Sequence, residues 1–447
     1  MKNKKILIIP VILLLIILVA GGSFAYIYFK TDILKSDKQL FFEYVLGDTS
    51  DERLKQYYKK QLDTPYEFEA SAYIEAGDDA GHIEGMEQLE KFDIKFKGVN
   101  DVKAQEFDIN ASLNYNDEEI LPISIAKTDS IIGITTEVLD KYIAIDYERE
   151  SKNSLGLEEI AKTAVENIYD QKEILTKEDI QYLKDTYMNI LMEKLTDEKF
   201  SEVIGEDEKG YRLELTSKEI IETVVNVLEK LKDDERILNI INKEIEKIEE
   251  QQLDISKDDL KITKEKIEET IEGIKEEILT DEPEEELEEI LNSKLVVVIW
   301  AGKDKKISKV EIEQDKLGKL EVKIKQTQDS IEYIATIDMA SNRIENQYDE
   351  ATINFGVKYT GLEKMEEVSE TYNCLVNIID DEDNEVEMNG YVNNEIKFAT
   401  NPYIVELEES NTWMLTPNTD ASVQKFLINT YNVIMKELQK NIQILID

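Results

Sequence analysis

The amino-acid sequence predicts an α+β protein: a curved antiparallel β-sheet of half-barrel type, with a large acidic helical insert, behind one N-terminal transmembrane helix. Three observations predict this fold. An uncharged apolar run lies near the N-terminus, two long stretches alternate apolar with polar residues, and the stretch between them spaces apolar residues three or four positions apart. With 447 residues, of which 41% are hydrophobic, the chain is long enough for two or three cores.

The sequence divides where its period and its charge change. The predicted segments are a cytoplasmic stub with the anchor (residues 1–30), a juxtamembrane helical stem (31–64), a first β meander (65–150), the acidic helical insert with one short strand (151–292), and a second β meander with a C-terminal helix (293–447). Each meander is expected to be antiparallel, because short turns join its strands. Whether the two meanders form one sheet or two is left open.

The anchor is predicted from the uncharged run Ile6–Phe29. At about 1.5 Å per residue, a helix of this length crosses a hydrocarbon core of about 30 Å. Lys2, Lys4 and Lys5 precede the run, so the positive-inside rule places the N-terminus in the cytoplasm and the rest of the chain outside the cell. The alternative is a cleaved signal peptide with its processing site at Ser23–Ala25.

Two helices and a first series of strands are predicted after the anchor. The capping-box pattern Ser36-Asp37-Lys38-Gln39 indicates the start of one stem helix, and a second is expected over Asp51–Leu62, before Pro65. From Tyr66 to Tyr147 apolar and polar residues alternate, as in half-buried strands.

The helical insert is recognised by three similar helix starts, at Thr176, Thr216 and Thr263. A threonine at the N-cap accepts a hydrogen bond from a first-turn amide, and the acids that follow face the positive end of the helix dipole. One short strand, Tyr211–Leu215, is expected within the insert. The segment Asp281–Glu289 is almost wholly acidic and is expected to be solvated.

The second meander is predicted to begin with Leu295–Trp300, whose apolar run is typical of a central strand. The chain is expected to end in an amphipathic helix over Asp420–Leu445. Further strands are predicted at Val310–Ile312, Leu320–Ile324, Ile331–Ile337, Ile353–Tyr359, Cys374–Ile378, Val386–Met388 and Tyr403–Leu407.

The composition excludes several functions. The 53 basic and 98 acidic residues give a net charge of −45, which repels phosphate backbones and argues against nucleic acid as a partner. The single cysteine, Cys374, and the single histidine, His82, exclude an intramolecular disulfide and a zinc site built from several thiolates or imidazoles.

No catalytic, cofactor-binding or metal-ligating residue is predicted, and the chain is expected not to be an enzyme. His82 lies in a Gly- and Asp-rich connection and is interpreted as a solvated loop residue. Cys374 lies on an alternating strand and is interpreted as a small core residue. The acidic hairpin Asp380–Glu385 lacks the turn glycine of a calcium loop.

The order of meander, helical insert and meander behind one helix resembles uncharacterised single-pass envelope proteins of low-GC Gram-positive bacteria. Within it, Leu295–Gln328 combines an apolar strand, a charged turn at Gly302 and two alternating strands. This unit resembles hairpins of lipoprotein-carrier-type (LolA-like) half-barrels. That resemblance implies a curved sheet lined by helices around an apolar cavity for acyl chains, although the insert here is longer and more acidic than in that family.

Three functions are compatible with the sequence. The first is a membrane-anchored extracellular protein that binds a lipid-like or other apolar envelope ligand between sheet and helices. Its cavity would be lined by residues such as Phe92, Phe107, Trp300 and Phe355. The second is a structural or interaction protein whose acidic helical face binds a basic envelope partner or divalent cations. The third is an envelope hydrolase. The identity of the ligand and the oligomeric state are left open.

Overall fold

The computed structural model describes residues 36–46, 51–76, 92–116, 118–137, 139–148, 177–205, 208–250, 262–279, 285–302, 306–315, 318–340, 350–379, 385–399 and 401–415. Two compact units contain them: unit 1 is drawn from residues 1–50 and 172–322, and unit 2 from residues 51–171 and 323–447. Within the described ranges, no helix is both long enough and apolar enough to cross a membrane. The predicted anchor, Ile6–Phe29, and the predicted C-terminal helix lie outside these ranges.

Helices and strands are numbered along the chain. The helices are α1 (Asp37–Leu46), α2 (Glu52–Asp63), α3 (Lys177–Leu183), a π-helical turn (Lys184–Met188), α4 (Asn189–Lys194), a 3-10 turn (Asp197–Lys199), α5 (Ser217–Leu231), α6 (Glu235–Glu250), α7 (Lys264–Glu277) and α8 (Glu285–Asn292). The strands are β1 (Tyr66–Ala76), β2 (Phe92–Asp101), β3 (Glu106–Tyr115), β4 (Glu118–Thr128), β5 (Ile131–Thr136), β6 (Tyr142–Asp146), β7 (Phe200–Ile204), β8 (Lys209–Thr216), β9 (Lys294–Ala301), β10 (Ile307–Gln314), β11 (Gly318–Gln326), β12 (Ser330–Ala340), β13 (Glu350–Thr360), β14 (Glu367–Ile379), β15 (Glu385–Phe398) and β16 (Thr412–Met414). This α+β content, with predominantly antiparallel strands, confirms the predicted fold class at that level.

The sheet of unit 1 has the order β10, β9, β8, β7, with antiparallel pairing throughout. Strand β9 buries every second residue, as expected for the predicted central strand. Helix α1 packs on this sheet, and its Phe41 is fully buried against Phe200 of β7 with the ring centroids 5.4 Å apart. The helix predicted as the first part of a stem therefore contributes to the core of unit 1.

The predicted helix starts are confirmed where the structure describes them. Ser36 and Gln39 exchange the two hydrogen bonds of a capping box at α1. Thr216 and Glu219 form the same arrangement at α5, and Thr263 accepts from the amide of Lys266 at α7. Thr176 lies outside the described residues. The apolar stripe of α7 packs on α5 and α8 through a cluster of aliphatic side chains: Ile221, Val225, Ile267, Ile271, Ile274, Ile278 and Leu291.

In unit 2 the strand order is β16, β6, β5, β4, β3, β2, β1, β15, β14, β13, β12. All pairs are antiparallel except β16 with β6, which is parallel. The pairing of β1 with β15 joins the first meander to the second, so strands from both meanders form one sheet here. The division into five sequence segments stays a prediction.

Two details of the sequence interpretation are wrong. The helical insert contains two strands rather than one, because β7 forms a hairpin with β8. Strand β7 was missed because it is short and lies at an edge, with Ile204 strongly exposed. The predicted strand Tyr403–Leu407 is irregular chain: Leu407 is buried, but its amide donates to the Thr128 side chain (3.1 Å) instead of to a strand.

The fold of unit 1 gives a stability prediction for Phe41→Ala. Because Phe41 is fully buried among aromatic and aliphatic side chains, we expect the substitution to cost about 3–5 kcal/mol. Hydrogen exchange followed by mass spectrometry should show loss of protection in β8 and β9. Glu43→Ala, on the same helix and only partly buried, is the control. A cost below about 1 kcal/mol would contradict this packing.

Candidate functional site

The sheet of unit 2 has one apolar and one polar face, because its strands alternate. On β13, β14 and β15 the apolar face carries Phe355, Cys374 and Val392, whereas the neighbouring Asn354 and Asn373 belong to the other face. Helix α2 covers one end of the apolar face. Its fully buried side chain, Tyr57, packs with Ile331, Tyr359, Leu362, Val368 and Ile396.

Beyond α2 the apolar face forms an open groove with a volume of about 490 Å³. One cross-strand row of its lining runs through Val357, Tyr372, Val392, Ala72, Ile94 and Leu113. A second, shorter row consists of Phe355, Cys374, Gly390 and Ile74. The first row crosses six strands, so at about 4.8 Å per spacing it extends roughly 24 Å.

The groove exposes large apolar side chains to solvent. Ile94, Phe355 and Val392 are 41%, 44% and 41% exposed, and none of the residues that line the groove carries a formal charge. Contiguous exposed apolar surface of this kind marks sites for ligands or partners, and the volume lies within the range of about 300–1,000 Å³ typical of small-molecule pockets.

Small residues form the floor of the groove. A Cβ atom built on Gly390 would have no contact closer than 3.9 Å, to the carbonyl oxygen of Cys374, so the missing side chain leaves open space. Ala72 lies on the neighbouring strand, opposite Val392. Cys374 is half-buried and faces the groove directly opposite Gly390. The thiol interpreted from the sequence as a core residue is therefore part of the candidate site.

A polar row separates the groove from the core under α2. It consists of Tyr359, Glu370 and Asn394, which are paired across β13, β14 and β15. These residues lie two positions along their strands from the lining row, which is roughly 7 Å. Glu370 lies on the apolar face, because it alternates along β14 with the same set as Tyr372 and Cys374. It is an unusual residue for this face, and it is only 6% exposed.

Three neutral donors hold the Glu370 carboxylate. Tyr57 Oη donates to Oε1 (2.6 Å), while Tyr372 Oη (3.2 Å) and Asn394 Nδ2 (3.0 Å) donate to Oε2. Burial first, and then the hydrogen bond to Glu370, raises the pKa of Tyr57 far above its usual value. Burial likewise raises the pKa of Tyr372. Both phenols are therefore protonated at neutral pH and act as donors.

The sequence-predicted cavity residues have different positions. Phe92 and Phe355 line the groove, as expected. Phe107 is buried, and Trp300 belongs to unit 1, so neither was predicted correctly as a groove residue. His82 and residues 380–384 lie outside the described ranges. Glu370 was missed, although its position in the alternation Val368, Glu370, Tyr372, Cys374 could have identified it as a carboxylate on an apolar face.

Trp300 instead belongs to a charged cluster on the sheet of unit 1. Its indole Nε1 donates to Glu311, which also pairs with Lys319 (3.0 Å) and Lys309 (3.2 Å). Burial opposes ionisation of Glu311, but these donors outweigh it and hold the pKa at about 2.

This cluster gives unit 1 a defined pH dependence. Because the pKa of Glu311 is lower in the folded state, its contribution is present above the unfolded pKa of about 4.3 and disappears as the pH falls toward 2. We expect Glu311→Gln to reduce the free energy of unfolding by about 1–3 kcal/mol at pH 7 and by much less at pH 2. Urea unfolding at both pH values tests this, with the exposed Glu313→Gln as control. An equal loss at both pH values would contradict the assignment.

Several acidic residues of the insert form ion pairs with nearby lysines. Lys264 forms an ion pair with Asp233 (2.6 Å), and Lys275 forms one with Glu229 (2.8 Å). These two ion pairs connect α7 with the C-terminal end of α5. Over the described ranges, no group of three or more His, Cys, Asp or Glu side chains is arranged to hold a metal ion. The acidic-face hypothesis stays a prediction.

No protein-family model matches this chain, and no curated protein matches it. A mutant of the vaccine antigen transferrin-binding protein B from Haemophilus parasuis Hp5 is 7% identical over 75% of this chain and 76% of its own, with a TM-score of 0.12. The monoaromatic hydrocarbon channel CymD is 7% identical over 79% of this chain and 92% of its own, also with a TM-score of 0.12. At these scores neither structure bears on the fold or the function of this chain.

Proposed function

We propose that this protein is a non-enzymatic binder of lipid-like molecules and that the groove of unit 2 holds the apolar chain of the ligand. The exposed, uncharged lining of the groove is the observation that supports the proposal. Each buried methylene contributes about 0.8 kcal/mol, so an alkyl chain with ten buried methylenes contributes about 8 kcal/mol. That is enough to offset much of the cost of association.

We also propose that the protein is anchored in the cell membrane and that the sheet of unit 2 is curved. The uncharged run Ile6–Phe29 anchors the chain in the cell membrane with its N-terminus in the cytoplasm, and both units are extracellular. The sheet of unit 2 curves around the groove in the manner of a half-barrel, which the presence of an open concavity on its apolar face supports. A site beside a membrane would meet amphiphiles at high local concentration.

The single thiol of the chain gives a direct test. We expect 1-dodecanol to slow the modification of Cys374 by N-ethylmaleimide at least tenfold in the full chain, held in lipid nanodiscs. The matched control combines Cys374→Ser with Leu375→Cys, which moves the thiol by one residue to the polar face of the same strand. Dodecanol should not protect the control. Equal modification rates with and without dodecanol in the native chain would refute the proposal.

A further inference from the structure

The phenolic protons in and beside the polar row are all used in hydrogen bonds within the protein. Tyr58 Oη and Tyr359 Oη are 2.8 Å apart, Tyr359 is hydrogen-bonded to Tyr372, and Tyr372 donates to Glu370. Because the carboxylate can only accept, it fixes the direction of this chain of phenols, and each hydroxyl proton points toward Glu370. The three phenols Tyr58, Tyr359 and Tyr372 therefore have no proton left to donate to a ligand.

Two acceptor positions remain in the same row. A carboxylate has about four lone-pair sites, and the described residues fill three of those on Glu370. Because Asn394 donates to Glu370, its amide nitrogen must face the carboxylate, and its amide oxygen Oδ1 must point away from the carboxylate. That oxygen is buried and has no hydrogen-bond partner among the described residues. An unpaired buried acceptor is costly, so a donor from a ligand would be stabilised there.

The charges in the polar row also favour a head group that donates hydrogen bonds. Over the described residues, the partners of Glu370 are two phenols and one amide, all neutral. An anionic head group would meet a negative charge and no free phenolic donor. A hydroxyl or ammonium group would find the acceptors that it needs.

We infer that the groove selects amphiphiles whose head group donates hydrogen bonds and carries no negative charge, and that Glu370 and Asn394 receive this head group. The inference rests on the proposed function, because the alkyl chain must occupy the groove first. The lining residue Tyr372 connects the two parts, since it lines the groove and its hydroxyl donates to Glu370 of the polar row. Long-chain alcohols, amines and monoacylglycerols fit this description, whereas fatty acids and anionic phospholipids do not.

Three ligands with the same alkyl chain test the selection: 1-dodecanol, dodecylamine and dodecanoate at pH 7. For each, the concentration that half-protects Cys374 is compared between the native full chain and Glu370→Gln in nanodiscs. Each ligand partitions into the bilayer to the same extent with both variants, so the ratio of its two half-protecting concentrations does not depend on that partitioning. We expect Glu370→Gln to lower the half-protecting concentration of dodecanoate at least tenfold and to raise that of dodecylamine at least fivefold.

Glu395→Gln is the matched control, because it removes the same charge from an exposed position on the opposite face of β15. It should leave all three ligands unchanged. Dodecanoate that protects the native chain as well as dodecylamine does, with no response to Glu370→Gln, would overturn the head-group inference alone. Failure of all three ligands to protect Cys374 would instead refute the proposed function. If Glu370→Gln does not fold, the native chain still tests the selection, because each half-protecting concentration can be corrected for the measured amount of that ligand in the bilayer. Dodecanoate that then protects Cys374 as well as dodecylamine does would overturn the head-group inference.

Discussion

Gly390→Trp is expected to abolish binding in the groove without unfolding unit 2. The position is open, since a Cβ there would meet only the Cys374 carbonyl at 3.9 Å, and the backbone has no left-handed φ that would strain a side chain. An indole at this position would occupy the space between Phe355 and Ile74. We expect the affinity for the neutral fluorescent probe N-phenyl-1-naphthylamine to fall at least fifty-fold.

Glu387→Trp is the matched control for this variant. It places the same side chain on the same strand, but at an exposed position on the polar face. Its probe affinity should remain within twofold of the native value. Unchanged probe binding in folded Gly390→Trp would show that the groove is not the binding site.

Tyr57→Ala is expected to cause the largest loss of stability in unit 2. Tyr57 is fully buried between α2 and the sheet, and its hydroxyl bonds both Glu370 and Gln61. The cavity costs about 3–5 kcal/mol, and the buried carboxylate also loses its closest donor. Hydrogen exchange with mass spectrometry should show loss of protection in β13–β15, while β8 and β9 of unit 1 remain protected.

Tyr57→Phe separates the two contributions, because it keeps the ring and removes only the hydroxyl. Its cost should be about 1–3 kcal/mol, the range for leaving a buried acceptor without its partner. Equal losses for Tyr57→Phe and Tyr57→Ala would contradict the view that ring burial provides most of the stability. A loss below about 1 kcal/mol for Tyr57→Ala would contradict the docking of α2 on the sheet.

Local elements of this fold could be predicted because their causes are local. The capping boxes at Ser36 and Thr216 set helix starts, and alternation of apolar and polar residues set the strands. The pairing of β1 with β15 could not be predicted in this way. It joins Tyr66 to Phe398, and no short-range pattern specifies a partner so distant along the chain.

The candidate site could be predicted only in part. Alternation places Phe92 and Phe355 on an apolar face, and the structure brings both to the groove. The sequence does not say which part of that face a helix covers, and here α2 covers the part next to Glu370, which accepts a hydrogen bond from Tyr57 of the helix. The prediction of Trp300 as a cavity residue is wrong, because Trp300 lies in unit 1, where its indole nitrogen donates to Glu311 of the same unit.

Photo-crosslinking tests the central claim most directly, because it reports where an alkyl chain lies. The full chain in nanodiscs would be irradiated with a dodecanol derivative that carries a terminal diazirine, and the adducts would be located by peptide mass spectrometry. We expect adducts on β2 and β13–β15, and their loss in Gly390→Trp. Adducts concentrated on unit 1, or unaffected by Gly390→Trp, would contradict this claim.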